Sequence, residues 1–290
     1  MLELPVPTAL VCHDAGATNI ILGWLKAADS TATVQAFMKG PAAQLWSAAF
    51  PGYPICGSLE EALNGAQTLI SGTGWASELE HSARQLAFSR GIQSVAVLDH
   101  WVNYAQRFER KGQVQWPDEV WVADDYALAL AQSDLPGLPV RQFDNLYLKA
   151  QVANIEKAPG NGTLLVVLEP VRNTWGGDRE GEFQALDYLF DHLDYLWPAG
   201  VTRVLLRQHP SEPPGKYQSW LARHRVAQMD NSKDVATAIS QADVVVGVES
   251  FALTIALAAG RPVYSSLPPW APDFRLPQKG IQQIRLMTQL

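Results

Sequence analysis

Short apolar runs alternate along the whole chain with stretches of helical character. In the first half the runs are TALVCHD (8–14), ATVQAFMKG (32–40), QTLISGTG (67–74), QSVAVLDHW (93–101) and DEVWVADD (118–125). Between them lie NIILGWLKAA (19–28), PAAQLWSAAF (41–50), SLEEALNGA (58–66) and ASELEHSARQLAFSRG (76–91). Pro41 opens the second of these, where a missing N–H does no harm. Ser58 with Glu61 three residues on reads as a capping box, and Gly91 ends the last stretch. The runs are apolar at successive positions rather than alternating, and each leads into a helical pattern. That predicts parallel strands covered by helices on both faces.

At NIEKAPGNG (154–162) the composition turns polar and turn-rich, which reads as a linker. A second strand series follows: TLLVVLEP (163–170), VTRVLLRQHP (201–210), RVAQMD (225–230), DVVVGVES (243–250) and RPVYSSLP (261–268). Helical pieces at 179–193, 233–242 and 251–260 separate them. The expectation is an α/β chain of two tandem Rossmann-like parallel-sheet domains, residues 1–153 and 154–290. In such sheets ligands bind beyond the carboxyl ends of the strands. Two edges of this kind facing one another would form an interdomain cleft.

Composition narrows the class of partner. Of 290 residues 47% are hydrophobic and 18% charged, an ordinary globular balance. The formal net charge is -7 and no Lys/Arg block interrupts it, which argues against nucleic acid. The two cysteines, Cys12 and Cys56, sit among apolar or small residues and read as core thiols rather than a disulfide. No C-x-x-C spacing suggests a metal. The most apolar stretch, ALTIALAAG (252–260), is far short of the ~20 residues a membrane span needs. The opening MLELPVPTALVCHD carries Glu3 and no basic cluster, so a signal peptide is not expected and a cytoplasmic location is. Trp75, Trp101 and Trp121 each follow an apolar run, where they either line clefts or seal strand ends.

Candidate chemistry gathers where strands end. After the first, HDAGATN (13–19) lets the chain turn at Gly16 into a helix whose free N–H groups attract anions. It lacks the G-x-G-x-x-G of a dinucleotide site. Asp14 or Thr18 caps the helix, or else Asp14 or His13 is a general base or substrate ligand. SGTGW (71–75) offers Ser71, Gly72, Thr73 and backbone amides to a polar ligand, or is simply a good turn. LDHW (98–101) combines acid, imidazole and aromatic, and His100 could transfer a proton or merely bond a carbonyl. In the second half Glu169 and Arg172 leave a strand in LEPVRN (168–173). Arg172 could pair a phosphate bidentately or simply pair with Glu169. Arg207 and His209 follow in LLRQHP (205–210), where Pro210 keeps His209 extended, as suits a held ligand. In GVESFALTIALAAGRPV (247–263), Ser250 fits an N-cap in front of an apolar helix, Glu249 could accept ribose hydroxyls, and Gly260 closes the helix.

LLRQHP and ADVVVGVESFALTIALAAGRPVYS (242–265) resemble the carboxyl-terminal halves of glycosyltransferases of GT-B architecture. Among these are bacterial capsule and sialic-acid-type transferases, teichoic-acid polymerases that use CDP-glycerol, and the related UDP-N-acetylglucosamine 2-epimerases. The matching features are His209–Pro210 after a strand, the acid-and-Ser loop Glu249–Ser250, and the turn Gly260, Arg261, Pro262, Val263. The resemblance implies a nucleotide-sugar donor held by the second half, with His209 on its phosphate and Ser250 with the helix amides on phosphate or ribose. It implies metal-independent catalysis without a resident cofactor, since basic groups and the helix dipole neutralise the leaving phosphate. The acceptor and a base, Asp14 first and His100 second, would come from the first half. HDAG departs from the acidic pair of the sialyltransferase-like families, and Glu249–Ser250 from their Ser-Ser or Ser-Thr pair.

Three functions follow as expectations: a glycosyltransferase serving surface-polysaccharide or glycoconjugate synthesis, a UDP-sugar 2-epimerase or hydrolase, and a non-catalytic nucleotide- or sugar-binding accessory protein.

Overall fold

The computed structural model of the chain describes residues 7–28, 34–75, 77–197 and 200–288. Residues 32–33 and Ala76, at the starts of two expected elements, lie outside the described residues. In the first half the strands are β1 (Thr8–Cys12), β2 (Val34–Met38), β3 (Thr68–Ser71), β4 (Gln93–Val97), β5 (Glu109–Arg110), β6 (Gln113–Val114), β7 (Glu119–Val122) and β8 (Val140–Gln142). The helices are α1 (Ala15–Ala28), α2 (Gly40–Ala49), α3 (Leu59–Ala62), α4 (Leu79–Ser89), α5 (Asp125–Asp134) and α6 (Leu146–Ala153). Six of the strands form one sheet in the order β2-β1-β3-β4-β7-β8, every pair parallel. β5 and β6 make a separate antiparallel ribbon.

The doubly apolar strands do what their pattern requires. Leu10 and Cys12 face one side of the sheet, where they join Ile20, Trp24 and Leu25 of α1 and Trp46 of α2. Ala9 and Val11 face the other, against Ala62 of α3 and Ala83 and Ala87 of α4. Both thiols are free, and burial pushes that of Cys12 far up. At α3, Ser58 Oγ accepts from Glu61 N–H (3.1 Å), but the Glu61 carboxylate takes the amide of Gly57 (2.7 Å) instead of that of Ser58.

The second half repeats the plan with β9 (Thr163–Val167), β10 (Arg203–Arg207), β11 (Ala227–Met229), β12 (Val244–Gly247), β13 (Val263–Ser265) and β14 (Ile281–Gln283). Its helices are α7 (Gly181–Asp191), α8 (Leu193–Leu196), α9 (Gln218–Leu221), α10 (Val235–Ser240), α11 (Phe251–Ala258) and α12 (Ile284–Met287). The sheet order is β11-β10-β9-β12-β13-β14, again wholly parallel. Leu164, Val166, Val204 and Val246 pack on Leu186 and Leu189 of α7 and on Trp220.

The chain divides into two compact units, Met1–Lys149 and Ala150–Leu290, the division falling inside α6. The polar stretch 154–162 is bound to the second unit. The Asp243 carboxylate accepts the amides of Gly160 (2.6 Å), Gly162 (2.7 Å) and Thr163 (3.2 Å). Arg261, of the Gly-Arg-Pro-Val turn, is buried and donates to the carbonyls of Ala242 (2.8 Å) and Glu156 (2.5 Å).

Strand order locates the switch points. In the first sheet the chain leaves β1 for one neighbour, β2, and later returns on its other side with β3. In the second, β9 is followed outward by β10 and β11, and β12 then returns to its other edge. The carboxyl ends of β1 and β3, and of β9 and β12, are therefore where ligands are expected. No helix among the described residues is long and apolar enough to cross a membrane.

Candidate functional site

At the first switch point β1 delivers His13, Asp14 and Gly16, and β3 delivers Gly72, Thr73, Gly74 and Trp75. The two loops are locked together by a residue of neither. Glu80, in the first turn of α4 and only 2% exposed, accepts the amide of His13 on one oxygen and that of Gly74 on the other, both at 3.0 Å. Burial pushes its carboxyl up, against the pull of those amides and of Arg84 one turn along the helix. Arg84, fully buried, donates to Ser71 Oγ (3.1 Å) and to the Gly72 carbonyl (3.0 Å).

Two glycines are required by close approach. A Cβ on Gly74 would lie 1.9 Å from Asp14 Oδ2, and one on Gly16 would lie 1.7 Å from Asp99 Oδ2. Asp14 therefore rests on the glycine loop, and Asp99, from the end of β4, rests on the start of α1. His13 and Asp14, though adjacent in sequence, do touch: His13 Nδ1 meets Asp14 Oδ1 at 2.6 Å. Asp14 sits directly ahead of α1. Its carboxylate bonds His13, and Thr18 Oγ1 donates to its carbonyl (2.6 Å). Thr73 turns inward to the Val97 carbonyl (3.1 Å). The His100 ring lies against Trp101, centroids 5.4 Å apart. Arg107 is buried and donates to Asp99 Oδ1 (2.9 Å) and Thr73 Oγ1 (3.2 Å).

At the second switch point β9 delivers Glu169 and Arg172, and β12 delivers Glu249 and Ser250. Glu169 Oε1 accepts the Glu249 amide at 2.6 Å, joining the two strand ends. Ser250 Oγ accepts from Ala252 N–H (3.2 Å) and caps α11 as its sequence predicts. The Glu249 carboxylate is held by Arg275, through the backbone amide (2.5 Å), Nε (3.1 Å) and Nη2 (2.6 Å). Arg172 is exposed.

β10, next to β9, brings Arg207 and His209. Arg207 pairs with Asp230 (2.6 Å) and donates to the Ser232 carbonyl (3.1 Å), tying β10 to the loop after β11. His209 is held differently. Its Nδ1 accepts the Ser211 backbone N–H (3.2 Å) and meets Ser211 Oγ (2.8 Å). A backbone amide can only donate, so the proton of the neutral ring sits on Nε2. Desolvation lowers its pKa, Glu212 opposes that, and the charge of Arg172 adds to it. Glu212, buried, also accepts the His209 amide (3.2 Å) and is gripped by Tyr217 OH (2.7 Å) and Lys216 Nζ (2.8 Å). The result is a neutral imidazole on a braced loop with one N–H to offer.

Glu169 yields a pH test. Burial raises its pKa from 4.5 to about 7, while the Glu249 amide pulls it down. Its folded value lies above its unfolded value, so the folded chain prefers the protonated form. Whatever stability this gives is complete below about pH 4.5, declines as pH rises toward 7, and is gone above it. Glu169→Gln keeps an acceptor for the Glu249 amide and cannot ionise. In urea unfolding of the full chain it should match the native protein near pH 4.5 and exceed it by about 1–2 kcal/mol at pH 8. A variant less stable than the native chain at pH 8 would contradict this.

No family model and no curated protein matches the sequence. Solved structures match it in fold. A UDP-GlcNAc 2-epimerase from Neisseria meningitidis bound to UDP-GlcNAc is 12% identical, with TM-score 0.61, over 97% of this chain and 91% of that one. MnaA of S. aureus in a co-structure with UDP is 11% identical, with TM-score 0.58, over 89% and 78%. The glycotransferase of kitacinnamycin is 11% identical, with TM-score 0.56, over 99% and 88%. At these identities the likeness is one of architecture: the chain has the two-domain α/β fold, GT-B, that is found in glycosyltransferases and UDP-GlcNAc 2-epimerases.

Proposed function

We propose that the protein is a glycosyltransferase that moves a sugar from a nucleotide-sugar donor to an acceptor, in the synthesis of a surface polysaccharide or glycoconjugate. The observation that carries the reading is the second switch point with its neighbour β10. There a neutral His209 with Nε2–H available stands on a braced loop, and Ser250 opens α11. The UDP and UDP-GlcNAc bound in two structures of the same fold support a nucleoside diphosphate as the donor's leaving group. In this reading an acceptor oxygen attacks the anomeric carbon as the bond to the phosphate oxygen breaks. Asp14 takes the acceptor's proton. The negative charge gathering on the phosphate is met by His209 Nε2–H and the amino terminus of α11.

A second reading, 2-epimerase or hydrolase, draws support from the partly exposed carboxylates Asp14 and Asp99 at the first switch point, which could move protons without any acceptor. The two are separated by incubating the protein with nucleotide sugar alone: isomerised or hydrolysed sugar favours the second, and product that appears only with an acceptor favours the first.

Thermal denaturation in UDP, CMP, CDP, GDP and their sugar conjugates tests the common core. A ligand at 100 times its Kd stabilises the native state by about 2.7 kcal/mol, which moves the midpoint by several degrees. One donor class should do so. His209→Ala should weaken that donor about tenfold or more, as expected for loss of a hydrogen bond to a charged group. Should no nucleotide move the midpoint, or should the His209→Ala protein respond as the native one does, the reading fails.

A further inference from the structure

Trp75, the last residue of the glycine loop after β3, is 50% exposed. The loop that carries it is held at Gly74. Its neighbour Gly74 donates its amide to Glu80 and accepts Arg110 Nη2 on its carbonyl (2.5 Å). The guanidinium groups of Arg110 and Arg107 lie 5.2 and 5.8 Å from the centre of the Trp75 ring. The indole is thus a half-exposed aromatic surface beside a hydrogen-bonded backbone, with two guanidiniums over its ring. Two carboxylates belong to the same surroundings: Asp14 rests on Gly74, and Asp99 is paired with the same Arg107 that approaches the ring.

Much of the donor capacity here is already spent. The amides of His13 and Gly74, which a phosphate would use, already donate to Glu80. Arg107 is engaged by Asp99, Thr73 and the Val102 carbonyl, and Arg110 by the carbonyls of Gly74, Arg107 and Glu109. Beside the N–H groups left on the two guanidiniums, the carboxylates of Asp14, its side chain 29% exposed, and of Asp99, 19%, remain to accept. An aromatic face beside two partly exposed carboxylates suits a ligand with a flat C–H surface and many hydroxyl donors, whereas their like charge disfavours a phosphate. We infer that Trp75, Asp14 and Asp99 form a saccharide subsite, in which a pyranose stacks on the indole and its hydroxyls bond the two carboxylates. Its role as the acceptor site rests on the transferase reading; its capacity to bind sugar does not.

The test uses the labelled full chain on an array of neutral, amino and acidic glycans, followed by equilibrium binding to the best of them. Two variants are compared, Trp75→Ala and Trp75→Leu, the second keeping apolar bulk without a π face. The native protein should bind a subset of the glycans, and both variants should bind about tenfold more weakly or worse. Their midpoints and their response to nucleotide should be unchanged. The inference is overturned if the native chain binds no glycan on the array, or if the leucine variant binds within threefold, roughly 0.6 kcal/mol, of the native one. Nucleotide stabilisation read in the same preparations separates the failures: a blank array with an intact nucleotide response removes the saccharide subsite and leaves the transferase reading standing.

Discussion

Glu80→Ala should cost the protein about 3–5 kcal/mol of stability, the most of any single change at either switch point. Three losses add up. The amides of His13 and Gly74 each lose a partner in a place water barely reaches. Arg84, fully buried, loses the nearest opposite charge. The space left by the side chain lies beneath Gly72, whose Cβ position is 2.5 Å from Glu80 Oε1. Glu80→Gln is the informative partner. Its carbonyl can serve one amide while its NH2 group confronts the other, so about 1–3 kcal/mol should be lost. Urea unfolding followed by circular dichroism gives both numbers. If the alanine variant were within 1 kcal/mol of the native chain, the two strand-end loops would have to be held by something other than this carboxyl.

The sheets were legible in the sequence wherever a strand is buried on both faces. β1, β3, β4, β9, β10 and β12 are short apolar runs because helices cover both sides of them. β8 (VRQ) and β14 (IQQ) escaped notice because they are polar edges with one neighbour each, and nothing forces an edge to be apolar. The polar residues that end the inner strands stood out against those runs, which is why Asp14, Gly16, Gly72, Thr73, Glu169, Glu249 and Ser250 could be picked out. The structure brings the first four to one switch point and the last three to the other.

What braces those positions was not legible. Glu80 and Arg84, four apart on α4, have the spacing common to helical surface pairs, and only the geometry of the loops above them turns both inward. Arg107 comes from a 3-10 turn with no periodicity to announce it. Arg207 and Arg275 show the converse difficulty. One looked ready for a ligand and instead pairs with Asp230; the other, unremarked in the sequence, grips Glu249. Sequence spacing reports which strand end a charge leaves from, but not which neighbour it meets first. The signal that could have found the braces is burial of charge, and that is a property of three dimensions.

Asp14→Asn should lower turnover 100- to 10,000-fold, the range for loss of a positioned general base, while leaving nucleotide binding at its native level. The substitution is nearly isosteric, so the side chain still fits over Gly74 and still meets His13 Nδ1, and the fold should persist. What asparagine cannot do is take a proton from an attacking hydroxyl. A fall in kcat with an unchanged nucleotide midpoint shift is therefore the signature of chemistry rather than of damage. His100→Asn is the necessary comparison. His100 is the second base that the sequence suggests, and its ring lies against Trp101. It should cost less than tenfold, roughly 1.4 kcal/mol of barrier. If the two variants exchanged places, with Asp14→Asn near native and His100→Asn nearly inactive, the base would be the imidazole. The Asp14 carboxylate would then be a positioning residue, holding a sugar hydroxyl without taking its proton.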